Sequence, residues 1–290
     1  MTYFTHAVGF GLVTSAVVAL AAVGLALQVG VTNFVNFAYG DYMTFGAYVA
    51  YSVDLAGVPF GIAAAAGAGA TALLGVASNL AIFEQFVRRR SRLITLLVVT
   101  VGLSLVVQNV VIMVWGPGPK HYSLPVFTAM QLGPFVFTPV DLGIMGSAVV
   151  LLVALHLMLQ YTKFGKALRA TSTNADLALA CGINTWRLAN WVWVISGLMA
   201  GLAGIGLTLE LGVLQPLNGF NELFLIFAAI ILGGIGRPYG AMLGALVIGL
   251  VTEIAGAYVA SGYNTAIAFA VLVAVLLLRP QGIFATRGRT

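Results

Sequence analysis

A chain of 290 residues that is 61% hydrophobic and 7% charged, with mean hydropathy +1.05, lies outside the composition of soluble domains. At about 20 residues per crossing of roughly 30 Å of hydrocarbon, it has room for eight or nine spans and little for a separate extramembrane domain. The net charge of +5 comes from 13 Lys and Arg against 8 Asp and Glu. In a membrane chain such an excess reports topology and contact with anionic lipid heads, so no nucleic-acid partner is read from it.

In chain order, apolar stretches predict spans near residues 7–29, 40–56, 60–83, 93–115, 139–161, 191–213, 223–235, 240–260 and 263–279. The fold class is all-α, a polytopic transmembrane helix bundle in one domain, residues 1–290. Two spans are weak. The stretch from Gly40 to Gly57 is rich in tyrosine and begins at Asp41, and that from Leu223 to Ile235 is short for a full crossing; each reads as a broken or re-entrant helix. Met1 to His6 carry no basic stretch ahead of the first apolar run, so the first span is expected to be retained rather than cleaved.

Arg88, Arg89, Arg90 and Arg92, then Lys163, Lys166, Arg169 and Arg187, then Arg237, then Arg279, Arg287 and Arg289 fall on one side of these spans, leaving Lys120 on the other. By the positive-inside rule the twelve face the cytoplasm, which places the 163–190 segment and the C-terminus there. The outside loop, residues 116–138, holds Pro117, Pro119, Pro125 and Pro134 and is predicted as an irregular cap. Lys120 and His121 give that cap its positive character, a contact point for a soluble delivery protein with acidic residues; taken singly, each is an ordinary loop tip. Small residues set helix packing: Gly197, Gly201 and Gly204, Gly236, Gly240 and Gly244, and the run from Ala63 to Ala70 permit close backbone approach.

The polar interruption between Lys163 and Arg187 is the most informative stretch. Asn174 can cap a short helix with Asp176 in its first turn, Leu177, Ala180 and Cys181 share a face, and Gly182 can end it in a left-handed conformation. So short a helix is unstable alone in water, so its apolar face is expected to be buried against headgroups or a protein cleft. Thr185 is expected to cap the next helix, with Trp186, Trp191 and Trp193 at the interface. The single cysteine, Cys181, lies here and cannot form an internal disulfide.

Lys163-Phe164-Gly165-Lys166-Ala167-Leu168-Arg169-Ala170-Thr171, with Asn174, Ala178 and Gly182-Ile183-Asn184, then Ile195-Ser196-Gly197-Leu198-Met199-Ala200-Gly201, closely resembles the LivH-type permeases of branched-chain (hydrophobic) amino-acid ABC importers. The likeness extends to Leu27 through Asp41 with Gly46-Ala47-Tyr48, to Leu232-Gly233-Gly234-Ile235-Gly236, and to Leu278-Arg279-Pro280-Gln281-Gly282. The resemblance implies an ABC importer permease fold and a coupling role for Asn174, Ala175, Asp176, Leu177, Ala178, Leu179, Ala180, Cys181, Gly182 and Ile183. It also implies partners: a second homologous permease, most simply in a heterodimer, two cytoplasmic ATPases that hold ATP and Mg, and an external solute-binding protein. Permeases for urea, short amides and aromatic acids belong to the same wider family.

No cofactor is read in the chain itself. Gly165-Lys166 is followed by Ala167 and lacks the upstream glycine of a phosphate-binding loop, and His6, His121 and His156 have no metal-ligand spacing, so neither a catalytic nor a metal site is expected. Asn33, Asn36 and Asp41 cluster where the first two spans meet, and polar groups at membrane depth face a path or a partner. Tyr39 is placed with them, and the resemblance notes His or Gln near that position and Glu at 41 in other members. The bland alternative makes the asparagines helix caps. Gln108, Asn109 and Glu253 are further path candidates that interhelical hydrogen bonds would also explain. Glu210 and Glu222 are expected at the external rim, facing solvent or the delivery protein. A passive small-solute channel, which needs no docking segment, and a proton-coupled carrier, which needs a titrating acid such as Asp41 or Glu253, are the rivals from other classes.

Overall fold

The computed structural model describes residues 2–89, 91–125, 128–133 and 135–258, together with 266, 267, 269, 270, 273 and 277. The expected span at 263–279 and the C-terminal arginines therefore lie for the most part outside the described residues. Where backbone polar groups have no water to bond, a chain closes its hydrogen bonds within helices, and the described part is a bundle of eleven: α1 (Thr2–Thr32), α2 (Tyr39–Leu55), α3 (Phe60–Ser78), α4 (Glu84–Arg88), α5 (Leu93–Trp115), α6 (Pro139–Tyr161), α7 (Lys163–Thr173), α8 (Ala175–Ala180), α9 (Thr185–Leu211), α10 (Asn218–Gly233) and α11 (Pro238–Tyr258). A π turn, Asn79–Phe83, joins α3 to α4, so the two run on as one helix from Phe60 to Arg88. Among the described residues six helices are long and apolar enough to cross a membrane; α2 and α10, the two weak spans, are shorter, and α10 starts five residues earlier than expected.

The centre is α1, which carries no Asp, Glu, Lys or Arg and is buried along most of its length against α9, α11, α6 and α10. Small residues bring the helices together as their spacing predicted. A Cβ added at Gly197 or Gly201 would collide with the α3 backbone at Ala72 or Ala68, and one at Gly249 with Ser15. Ser15 also donates its hydroxyl to the Leu246 carbonyl at 3.2 Å, tying α1 to α11. Two helices flank this core. α5 lies against α2, and α6 against α1, each leaving most of its outer face exposed.

Arginines gather at one end of the bundle, as the parity of the spans required. The Arg88 guanidinium lies 4.8 Å over the Trp186 ring, and Arg169 and Arg237 line one cleft with Gly30. Lys120 is at the opposite end, its backbone paired in both directions with Leu214 at 2.8 and 2.9 Å. The outer loop is more ordered than an irregular cap: β1 (Met130–Leu132) pairs antiparallel with β2 (Phe135–Phe137). Proline forbids a long helix there but not a short hairpin, and Phe135 and Phe137 pack against α1 at Gly9. Thr138 then opens α6 with a reciprocal capping box to Asp141.

Candidate functional site

Two places in the bundle depart from continuous helix, and both carry the residues singled out from the sequence. The first is a midplane break. After α1 ends, Asn33 takes a left-handed backbone (φ 56°) at the surface, and Asn36 turns the chain by accepting the Ala38 N–H at 3.1 Å. α2 then starts inside the bundle. Its first-turn Asp41 accepts a 2.5 Å hydrogen bond from Ser104, which is halfway along α5, and Ser52 near the other end accepts from Trp115 Nε1 at 2.7 Å. α2 thus begins at mid-depth and runs outward. α10 begins at the same depth and runs the other way: Gly219 lies on Gly40, backbone to backbone, and donates its N–H to Thr44 Oγ1 at 3.0 Å.

Burial around this break is nearly complete. Asn36 and Asp41 are 0% and 1% exposed, and the Tyr39 hydroxyl, set against Gly24, donates to the Ser196 carbonyl at 3.2 Å. Both polar atoms of the Gln28 amide and Oδ1 of Asp41 are buried without a hydrogen-bond partner, a condition that costs about 1–3 kcal/mol per group. Gln108 donates to Ser104 Oγ at 3.2 Å and so joins the Asp41 chain. Asn109 differs from the expectation of an interhelical bond. It donates to the Leu105 carbonyl of its own helix at 2.7 Å and faces outward.

The second place is the polar segment between Lys163 and Arg187, at the arginine-bearing end. Thr162 caps α7 through the Gly165 N–H at 3.2 Å, and Arg169 donates to the Leu159 carbonyl at 2.8 Å, closing the end of α6. Asn174 ends α7 and caps α8, accepting from the Leu177 N–H at 2.9 Å. At the far end Gly182 adopts φ 85° and donates to Leu179, while Ile183 donates to Ala178, both at 3.0 Å; this paired closure satisfies the last carbonyls. One expectation is corrected. The capping residue of α9 is Asn184, which accepts from Arg187 N–H at 2.9 Å, with Thr185 already inside the helix. The face of Leu177, Ala180 and Cys181 is exposed on this chain, open to an outside surface, and α8 rests on α7 and α9 through Ala178. Ala175, Asp176 and Leu179 are exposed as well, and Ile183 is half-buried.

At the opposite end His121 Nδ1 sits 2.8 Å from the Gly212 carbonyl, and Phe10, His121, Tyr122, Thr138, Asp141 and Glu210 line an open cleft of about 330 Å³. Burial pushes the Tyr122 phenol above its ordinary pKa, so it stays protonated and donates to the Ala47 carbonyl at 3.0 Å. Glu210 reaches this rim but turns its carboxylate inward to accept the Thr14 hydroxyl, and Thr14 also lies 3.4 Å from Glu253. Glu222 is half-buried in the second turn of α10, below the rim where it was expected, since α10 starts at mid-depth.

Sequence reasoning missed Ser104, the Gly40–Gly219 contact, and the π turn. Asn79 in that turn donates to Asn190 of α9 at 2.7 Å, and Phe83 stacks on Trp193 with ring centres 5.1 Å apart. A lone serine or asparagine in an apolar span was the only signal for these residues.

A polytopic bundle with helices broken at its midplane and a capped segment projecting from one end is a membrane protein of the transport class. The model of the branched-chain amino acid transport system permease component family matches residues 7–276, and the chain belongs to that family. It is 30% identical to the high-affinity branched-chain amino acid transport system permease protein LivH of Escherichia coli K12, over 97% of this chain and 95% of that one. The permease protein BraD of Pseudomonas aeruginosa is 28% identical over 94% and 93% of the two chains. The ribose import permease protein RbsC of E. coli is 25% identical over 90% and 81%. No solved structure matches the chain.

Proposed function

We propose that the chain is one permease subunit of an ATP-binding-cassette importer, and that it passes a small solute received from an external binding protein by alternating access. The observation that carries this reading is α8. It is capped at both ends, anchored through Ala178, and presents Leu177 and Leu179 outward beside the arginines. Exposed apolar side chains on a rigid, charged-end segment suit a protein cleft better than water. Two ATPases, holding ATP and Mg, would grip residues 174–183 from the cytoplasm, and their closure would move α7, α8 and the start of α9 together. The chain itself would carry no cofactor and catalyse nothing.

The solute path is assigned to the break, with Asn33, Asn36, Tyr39 and Asp41 along it and Gln108 beside them. The partnerless amide of Gln28 and oxygen of Asp41 suit groups that find partners when the path opens. The start of α10 against the start of α2 gives that opening a place to occur, as discontinuous helices do in transporters. Lys120, His121 and the outer cleft would meet the binding protein. Hydrophobic amino acids are the first choice of solute on the names of the LivH and BraD relatives, and a second homologous permease would complete the path as a heterodimer in the cell membrane. The ribose permease among the relatives favours a wider second reading, in which the fold serves solutes of other chemistry.

Gly182→Pro and Ala178→Asp test the reading. Proline cannot adopt φ 85°, and aspartate at 178 would bury a charge against α7 and α9. Both variants should insert normally yet lose solute uptake and stimulation of the co-purified ATPases. Uptake at the unaltered rate would contradict the coupling role.

A further inference from the structure

Between α1, α6 and α11 a groove of about 400 Å³ runs along the outer surface, lined by Val23, Val149, Val153, His156, Tyr239 and Met242 among others. At Leu159, Pro238 and Tyr239 it meets a second cleft of about 340 Å³ at the arginine-bearing end, where Arg169, Ser172 and Arg237 enter the lining. Among the described residues neither lining contains an Asp or Glu. The second cleft also takes in Gly236 to Gly240, so the first backbone N–H groups of the 21-residue α11 border it. Two guanidinium groups and the start of a long helix in one cleft attract a phosphate.

We propose that this seam is a binding site for an anionic phospholipid of the leaflet on the arginine-bearing side. Its phosphate lies between Arg169 and Arg237, and one acyl chain lies in the groove. Three observations select a lipid over a soluble anion. The charged cleft opens directly into the apolar groove instead of into solvent alone. From Leu159 to Val149 the groove follows α6 for ten residues, about 15 Å, which is half of the roughly 30 Å of hydrocarbon and so one leaflet. His156 and Tyr239, edge-on with ring centres 5.5 Å apart, bring a polar imidazole and a hydroxyl into the groove, His156 one turn deeper than Leu159, at the depth of the ester linkage of such a lipid. Arg169 also holds the end of α6 through Leu159, so an occupied cleft would brace α6, α7 and α11 against one another.

The test reconstitutes the chain in phosphatidylcholine nanodiscs containing a small fraction of either phosphatidylglycerol or phosphatidylcholine with a photoreactive acyl chain, followed by peptide mapping. Phosphatidylglycerol should label the peptides around residues 149–159 and 238–243 in preference to phosphatidylcholine. Each of Arg169→Gln and Arg237→Gln should lower that labelling about fivefold. Val153→Phe, which fills the groove and leaves both arginines in place, should lower it too while the melting temperature stays unchanged. Equal labelling by the two lipids, labelling indifferent to Val153→Phe, or full competition by millimolar glycerol phosphate would overturn the proposal; the last would mark the cleft as a site for free phosphate.

Discussion

Gly40 and Gly219 touch backbone to backbone at the starts of α2 and α10, each with its carbonyl where the other's Cβ would be. Two helices that begin at the membrane midplane and run to opposite faces are held there by this contact and by the Gly219 N–H bond to Thr44. A side chain cannot enter without separating them.

Gly40→Ala and Gly219→Ala should therefore each destabilise the bundle by about 1–3 kcal/mol, the usual cost of overpacking. Gly69→Ala is the control, because a Cβ there meets nothing within 4 Å. That variant should be neutral or more stable by about 0.5–1 kcal/mol, since alanine suits a helix interior better than glycine. Unfolding in detergent, followed by circular dichroism, measures all three. Equal effects at Gly40 and Gly69 would contradict the close contact.

Ser104 is the hydroxyl that meets Asp41 across α5 and α2. Its removal takes that hydroxyl donor from a buried carboxylate, so Ser104→Ala should cost about 1–3 kcal/mol. Combined with Asp41→Asn it should show a coupling energy of about 0.5–3 kcal/mol in a double-mutant cycle. Additive effects would mean that the two side chains act independently.

The caps of α8 and α9 are separable. Asn174→Ala and Asn184→Ala each remove a side-chain acceptor from a helix start and should cost about 1 kcal/mol of local stability. Thr185→Ala removes no cap and should stay within about 0.5 kcal/mol. Hydrogen exchange across residues 174–190 reports the difference, with faster exchange at Leu177 in the first variant and at Arg187 in the second.

The outline of the fold was legible because the bilayer leaves so few choices. Arg88, Arg169 and Arg237 were assigned to one side by parity and do share an end of the bundle, and the two weak spans, tyrosine-rich at Gly40 and short at Leu223, are the two helices that start at mid-depth. The fine structure was not legible. Asn184 and Thr185 are equally plausible caps from composition, and the backbone decides between them. Ala175, Ala178 and Ala180 are alike in size, so composition could not say which of them rests on the bundle; packing on α7 and α9 selects Ala178. Gly219 lay outside the span expected at 223–235, so its contact with Gly40 had no signature. Asn79 gave no sign of a π turn, and its partner Asn190 lies on a helix more than a hundred residues later.

The chain's single cysteine allows its central claim to be tested without altering the sequence. Cys181 is exposed at the end of α8, beside Leu177 and Gly182. A membrane-impermeant maleimide should label it in inverted membrane vesicles stripped of their ATPases, fail to label it in intact cells, and fail again once the ATPases are restored. Labelling in intact cells, or labelling undiminished by the ATPases, would contradict the account.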